Sequence, residues 1–195
     1  MALPASAKPL RADAERTVRA ILEAAERVLS VNPAATMEQI AEAAGVARTT
    51  VHRRFASRDA LITALATWAS QRFYEAVEAA RPDTAPPSIA LYQVTANVLR
   101  VKIGWGFAMG AVPADAPEAA RVYGEVLARC EGLFARARDA GLLASDTDLD
   151  WVRRVYYALI HEAAAEAPDT DAAVDALATR VVDTLLYGVG KRASG

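Results

Sequence analysis

The stretch Thr36–Leu61, T-M-E-Q-I-A-E-A-A-G-V-A-R-T-T-V-H-R-R-F-A-S-R-D-A-L, decides the fold of this 195-residue chain. Thr36, with Gln39 three residues later, is a capping-box pattern, in which a hydroxyl and an amide each satisfy a backbone N–H left over at a helix start. It opens a short helix with Ile40, Ala41 and Ala44 directed inward, and Gly45 closes that helix after about two turns. A second short helix follows from Arg48 to Phe55. Val51 and Phe55, four residues apart, face back to the core. Ala41 and Ala44 are small where the helices cross, and Val46 fills the corner. The opposite side carries Arg48, Thr49, Thr50, His52 and Arg53, with Arg54 and Arg58 at its C-terminal end. Two short helices crossing over a glycine turn form a helix-turn-helix.

Charge is distributed to match. Residues 48–58 hold four arginines and no acid, residues 1–60 hold nine bases against seven acids, and residues 61–195 hold 13 bases against 17 acids. A cationic end on a mildly acidic body draws a polyanion to one face, with an attraction that weakens as salt rises. Arginines and hydroxyls in one short run suit phosphate anchoring combined with reading of base edges in a major groove. The overall formal charge of −2 excludes a histone-like polycation.

Outward from this stretch, apolar residues recur at spacings of three and four, and strand signals are nearly absent. Residues 1–12, with Pro4 and Pro9 and no periodicity, read as a flexible arm. Val18, Ile21, Leu22, Ala25, Val28 and Leu29 form one helical stripe, with Glu23, Glu26 and Arg27 on the other side, and Asn32-Pro33 stops the helix. Ser57 caps a long helix that runs to about Ala80, before Arg81-Pro82. Beyond the Pro82, Pro86 and Pro87 hinge, helices are expected over 88–103, 117–140, 147–166 and 171–188. The glycine-broken segment Gly104–Gly110 lies between the first two. The fold class is all-α: an N-terminal three-helix helix-turn-helix unit followed by a helical bundle. Hydrophobic residues make up 53% of the chain, so it can bury a core.

Residues 13–61 resemble the DNA-binding domain of the TetR family of transcriptional regulators. The matching residues are Ala20–Ala25 (A-I-L-E-A-A), Thr36, Ile40–Val46 (I-A-E-A-A-G-V), Thr50, Phe55, Ser57 and Leu61. Four positions depart from the family pattern. Ala47 stands where a capping serine is usual, and His52 where a phosphate-touching tyrosine is common. Arg58 replaces a lysine, and Asn32-Pro33 replaces a glycine-aromatic turn. The resemblance implies a homodimer that binds a double-stranded DNA operator, and repression usually relieved by a small-molecule effector. On this reading the arm is residues 1–12, the DNA-binding domain 13–60 and the effector-binding and dimerisation domain 61–195. DNA contacts are expected from Thr36, Arg48, Thr49, Thr50, His52, Arg53, Arg54 and Arg58.

An effector pocket is expected near the broken segment, lined by Trp68, Trp105, Phe107, Met109, Tyr123, Tyr156 and His161, for a mainly apolar ligand. The wide apolar stripes of the last two helices resemble the antiparallel pair that builds the family's four-helix dimer interface. They place Val152, Tyr156, Leu159, Val174, Leu177, Val181, Val182 and Leu185 there. No cofactor and no metal are expected. His161-Glu162 begins like a zinc-protease motif but lacks the second histidine, Gly190-Lys191 lacks the first glycine of a phosphate loop, and Cys130 reads as a packing thiol. With only His52 and His161 available, no nucleophile–base pair is visible, so no enzyme is expected. The single cysteine and the lack of a signal-like apolar segment or membrane span point to a cytoplasmic protein, and 19 arginines against three lysines, with abundant alanine, point to a GC-rich bacterial genome. The alternatives are a regulator that activates without small-molecule control, and a helical ligand carrier or enzyme retaining an idle helix-turn-helix.

Overall fold

The computed structural model describes residues 7–111 and 117–189, and the side chains of residues 7–12 lie outside the description. Within them the chain is all-helical. The helices are α1 (Ala7–Val31), α2 (Met37–Ala43), α3 (Arg48–Arg54), α4 (Arg58–Ala79), α5 (Pro87–Gly104), α6 (Gly106–Gly110), α7 (Pro117–Asp139), α8 (Leu149–Ala165) and α9 (Asp171–Tyr187). None of the described helices is long and apolar enough to cross a membrane.

The backbone punctuation is local and follows the sequence. Thr36 Oγ1 accepts from the Gln39 N–H at 3.3 Å while Gln39 Oε1 accepts from the Thr36 N–H at 2.8 Å, completing the capping box of α2. Gly45 turns the chain at φ +66°, in the left-handed region that side-chain-bearing residues avoid. Ser57 Oγ accepts from the Ala60 N–H at 3.1 Å at the start of α4. One end departs from expectation: α1 begins at Ala7, so residues 7–12 are helical rather than part of a loose arm. Pro9 falls in the first turn, where a missing N–H breaks no intrahelical bond. The rest of the expected arm lies outside the described residues, as does Gly190-Lys191.

The chain divides into two compact units. Among the described residues the first comprises 7–68 and 107–111, the second 69–106 and 117–189. The division falls within the uninterrupted α4, at 68/69, with fully buried Leu61 and Leu65 in its first-unit portion. In the first unit, α1 packs on α2 and α2 on α3, around Ile21, Leu22, Ala25, Leu29, Ile40 and Val51. Glu26, read from the sequence as part of the polar side of α1, is buried at 4% exposure. Its partners are backbone groups of Phe107 and Ala108, which sequence periodicity cannot reveal.

In the second unit α5 packs against α7, α8 and α9. Leu91, Val94, Leu99, Leu133, Phe134, Ile160 and Val182 lie in its core. Phe134 meets Tyr156 edge-on, with ring centroids 5.3 Å apart, and the Tyr156 and Thr95 hydroxyls bond at 2.9 Å. Around the apolar centre, Arg100 of α5 binds Asp171 at 3.1 Å and Asp175 at 2.6 Å on α9, and Tyr92 donates to Asp183 at 2.7 Å. Arg136 donates to the carbonyls of Pro82 and Ala85 and so holds the proline-rich connection before α5.

This core corrects the residues expected at a dimer interface. Val152, Tyr156, Val174, Leu177, Val181 and Val182 are buried within the single chain, with Val182 at 0% exposure. Only Leu159 and Leu185 of that set remain half-exposed. The apolar stripe of each helix serves the subunit's own core. The outward sides carry Trp151, Ala158, His161 and Glu162 on α8 and Ala172, Ala176 and Thr179 on α9, all exposed. Truncating Phe134 to alanine removes a fully buried ring, and should lower the unfolding free energy by about 3–5 kcal/mol. Denaturant titration followed by circular dichroism measures this, and an unmoved midpoint would contradict the packing described.

Candidate nucleic-acid interface

The expected reading surface lies wholly in the first unit. Val51 at 0% exposure and Phe55 at 7% anchor α3 inward. Because side chains repeat every 3.6 residues, this burial turns Arg48, Thr49, His52, Arg53 and Arg54 outward, all exposed, and leaves Thr50 half-buried at the edge. Ala47 is the N-cap residue of α3 and supplies no side-chain bond, as its methyl group dictates.

The eight residues expected to contact DNA are not equivalent. Arg53 and Arg54 are exposed, and neither makes a hydrogen bond or ion pair among the described residues. Arg48 is engaged: its Nε lies 2.7 Å from a carboxylate oxygen of Glu38 on α2, and 3.5 Å from His52 Nε2. Glu38 is therefore a negative group within the surface, with its carboxyl held below the usual range by a hydrogen bond from its own backbone N–H, assisted by Arg48, Thr36 and His52. Thr36 is occupied as the cap of α2. Arg58 is committed to the backbone, its guanidinium donating to the carbonyls of Pro33 and Ala35, at 3.4 Å to the latter. It thereby ties the start of α4 to the α1–α2 connection. Its targets lie 23 and 25 residues earlier, and no spacing rule connects them.

Two residues missed in the sequence join this surface. One is Glu38, whose pairing with Arg48 forms only when α2 and α3 cross. The other is Arg19 of α1, which shares a groove of about 400 Å³ with Ala14, Glu15, Val18, Arg54 and Trp68. Arg19 and Arg54 are 35 positions apart in sequence and become neighbours only through the tertiary packing of α1.

The expected effector residues divide between the two units. Trp68, Phe107 and Met109 belong to the first unit, and Trp105, Tyr123, Tyr156 and His161 to the second. Within the second unit, Tyr123 is 52% exposed, His161 lies on the outward side of α8, and Tyr156 is in the core with its hydroxyl bonded to Thr95. Tyr156 is thus enclosed, while Tyr123 and His161 are exposed. A different groove of about 320 Å³ does exist there, bounded by Leu142, Leu143, Ala144, Thr147, Trp151, Val152, Val155, Leu185 and Leu186. Cys130 is buried, and burial pushes its thiol up to about 11. Among the described residues no cluster of three or more His, Cys, Asp or Glu side chains is placed to hold a metal ion.

With this geometry, comparison with known proteins becomes specific. The family described as "Bacterial regulatory proteins, tetR family" matches residues 21–65, which span the inner part of α1, the helix-turn-helix and the start of α4. The HTH-type transcriptional repressor LfrR of Mycolicibacterium smegmatis is 33% identical over 179 residues, or 88% of this chain and 92% of LfrR. The chain belongs to the TetR family. It is a DNA-binding, helix-turn-helix transcriptional regulator. Its structure is similar to that of the TetR-like regulator LfrR from Mycobacterium smegmatis in complex with proflavine, with a TM-score of 0.69 and 29% identity over 91% of this chain and 99% of that one. The TetR-family regulator PfmR from Thermus thermophilus has the same fold, with a TM-score of 0.74 at 16% identity over 88% and 99% of the two chains.

For this TetR-family chain, exposure and freedom from partners single out Arg53 and Arg54. Replacing both with alanine should weaken duplex binding and reduce the slope of log affinity against log salt by about 2, close to one per lost phosphate contact. Anisotropy titrations across a salt series read this slope, and an unaltered slope would remove the pair from the phosphate contacts.

Proposed function

We propose that this protein is a homodimeric transcriptional repressor that reads a near-palindromic operator with two copies of α3 and is released by a small, mainly apolar ligand. The observation that carries the reading is the outward side of α3. A helix anchored by Val51 and Phe55 offers Thr49, His52, Arg53 and Arg54 to solvent with no acid on the same helix. Phosphate attraction from Arg53 and Arg54 supplies affinity, while Thr49, Thr50 and His52 at the front of the helix suit base-edge contacts. Twofold symmetry sets the two recognition helices about 34–36 Å apart, in successive major grooves on one side of the duplex.

The dimer is proposed to form through the outward sides of α8 and α9. Ala158, Ala172 and Ala176 are small and exposed there, a surface that lets helix backbones approach closely. Ala158→Arg together with Ala176→Arg leaves the core untouched and places two bulky charges on this face. The variant should sediment as a monomer and lose operator retention. A double variant that remains dimeric would move the interface elsewhere.

For the ligand, the relative's complex with proflavine supports a planar aromatic molecule, and the second unit's aromatic interior supplies suitable chemistry. Tyr156 and Thr95 form a polar pair in otherwise apolar surroundings, and a ligand entering between α5 and α8 would find hydroxyls to orient it. Effector binding then shifts the population toward a dimer unable to span the operator, by no more than its differential affinity for the two states. Proflavine titrated calorimetrically into DNA-free protein should bind, and Tyr156→Phe should weaken that binding by about 0.5–1.5 kcal/mol. Absence of any binding heat across several temperatures would exclude this ligand class.

A further inference from the structure

Glu26 is the one buried carboxylate among the described residues, with 4% of its surface exposed in the middle of α1. Each of its two oxygens accepts one backbone N–H, from Phe107 and from Ala108, both at 2.9 Å. These N–H groups lie in the first turn of α6, where no intrahelical acceptor exists for them. Burial raises the pKa of the Glu26 carboxyl, against two hydrogen bonds that lower it. The arrangement is specific to a carboxylate: a glutamine offers one acceptor and would turn an NH₂ toward the second N–H.

The position of this contact in the chain gives it a meaning beyond packing. Phe107 is the first residue at which the chain returns to the first unit, directly after Gly106, and Glu26 grips its amide. Along α1, the next residue, Arg27, reaches the Ala43 carbonyl at the end of α2, at 3.5 Å. Neighbouring residues of one helix thus hold the returning segment and the first helix of the DNA-reading pair. α1 packs on α2 and α2 on α3, so any change in the hold on Phe107 and Ala108 is delivered to the helix that carries Arg53 and Arg54.

We propose that Glu26 is a positioning residue for DNA reading: its grip on Phe107 and Ala108 sets the placement of α1, and through it of α2 and α3. The proposal rests on the DNA-reading function above. Linkage makes the effect reciprocal: if closure of this grip favours the DNA-bound arrangement, then bound DNA favours closure by the same factor.

The test measures amide hydrogen exchange at Phe107 and Ala108 with and without a duplex selected by the wild-type protein from a random library. In the wild type the duplex should slow both amides by about tenfold. Glu26→Gln should leave at least one of the two amides exchanging rapidly and equally with and without the duplex, and bind it more weakly by a similar factor. Glu26→Asp, shorter by one methylene, should lose the same coupling. The proposal is overturned if the wild type holds the duplex while both amides exchange as before, or if folded Glu26→Gln binds as tightly as the wild type. Should neither variant fold, the wild-type comparison alone decides. A wild type that retains no duplex at any salt concentration would overturn the DNA-reading function itself, and the role of Glu26 with it.

Discussion

The inward anchoring of Val51 and Phe55 is the constraint on which the rest of the first unit depends. Val51 lies on α3 and Phe55 is its C-cap residue, and once both are buried the rotation of that helix is set. The arginines then have no choice of direction. The left-handed turn at Gly45 makes this burial possible, because it brings α3 back across α2 within a few residues. Reading chemistry on the outside is thus a by-product of apolar packing on the inside. The guanidinium of Arg58 secures the arrangement from the other end by fastening α4 to the loop that precedes α2.

Features governed by neighbours in sequence are legible without the structure. The capping box at Thr36, the turn at Gly45, the cap at Ser57 and the stop before Pro82 all concern groups within four residues of one another, and all stand where expected. The helix periodicity of α8 and α9 is legible too, but its use is not. An apolar stripe has the same appearance whether it meets its own subunit or a second one, and Val182 proves to face the former. Charge is similarly ambiguous. Arg48, Arg53, Arg54 and Arg58 look alike in sequence. Glu38, ten residues upstream, occupies the first, carbonyls at residues 33 and 35 occupy the last, and the middle pair remains open. Glu26 shows the limit most clearly. Periodicity assigns it to the wet side of α1, and only a segment 81 residues away accounts for its burial.

The second unit is organised differently. Its centre is α5, which packs against three other helices, while arginines at the periphery fasten the connections. Polar groups enter the apolar interior at few places, and the Thr95–Tyr156 pair is the most enclosed of these. An internally paired hydroxyl carries little penalty in the closed bundle.

α2 and α3 are each only seven residues long. Helices so short do not persist alone in water, since nucleation costs more than a few turns return. They exist because the core beneath them exists, and they melt when it does. A genetic screen for constitutive expression from the target promoter would therefore recover two sorts of allele with one phenotype. Some would alter the arginines themselves, and others would alter oily positions such as Ile21 or Ile40 that never approach a nucleotide.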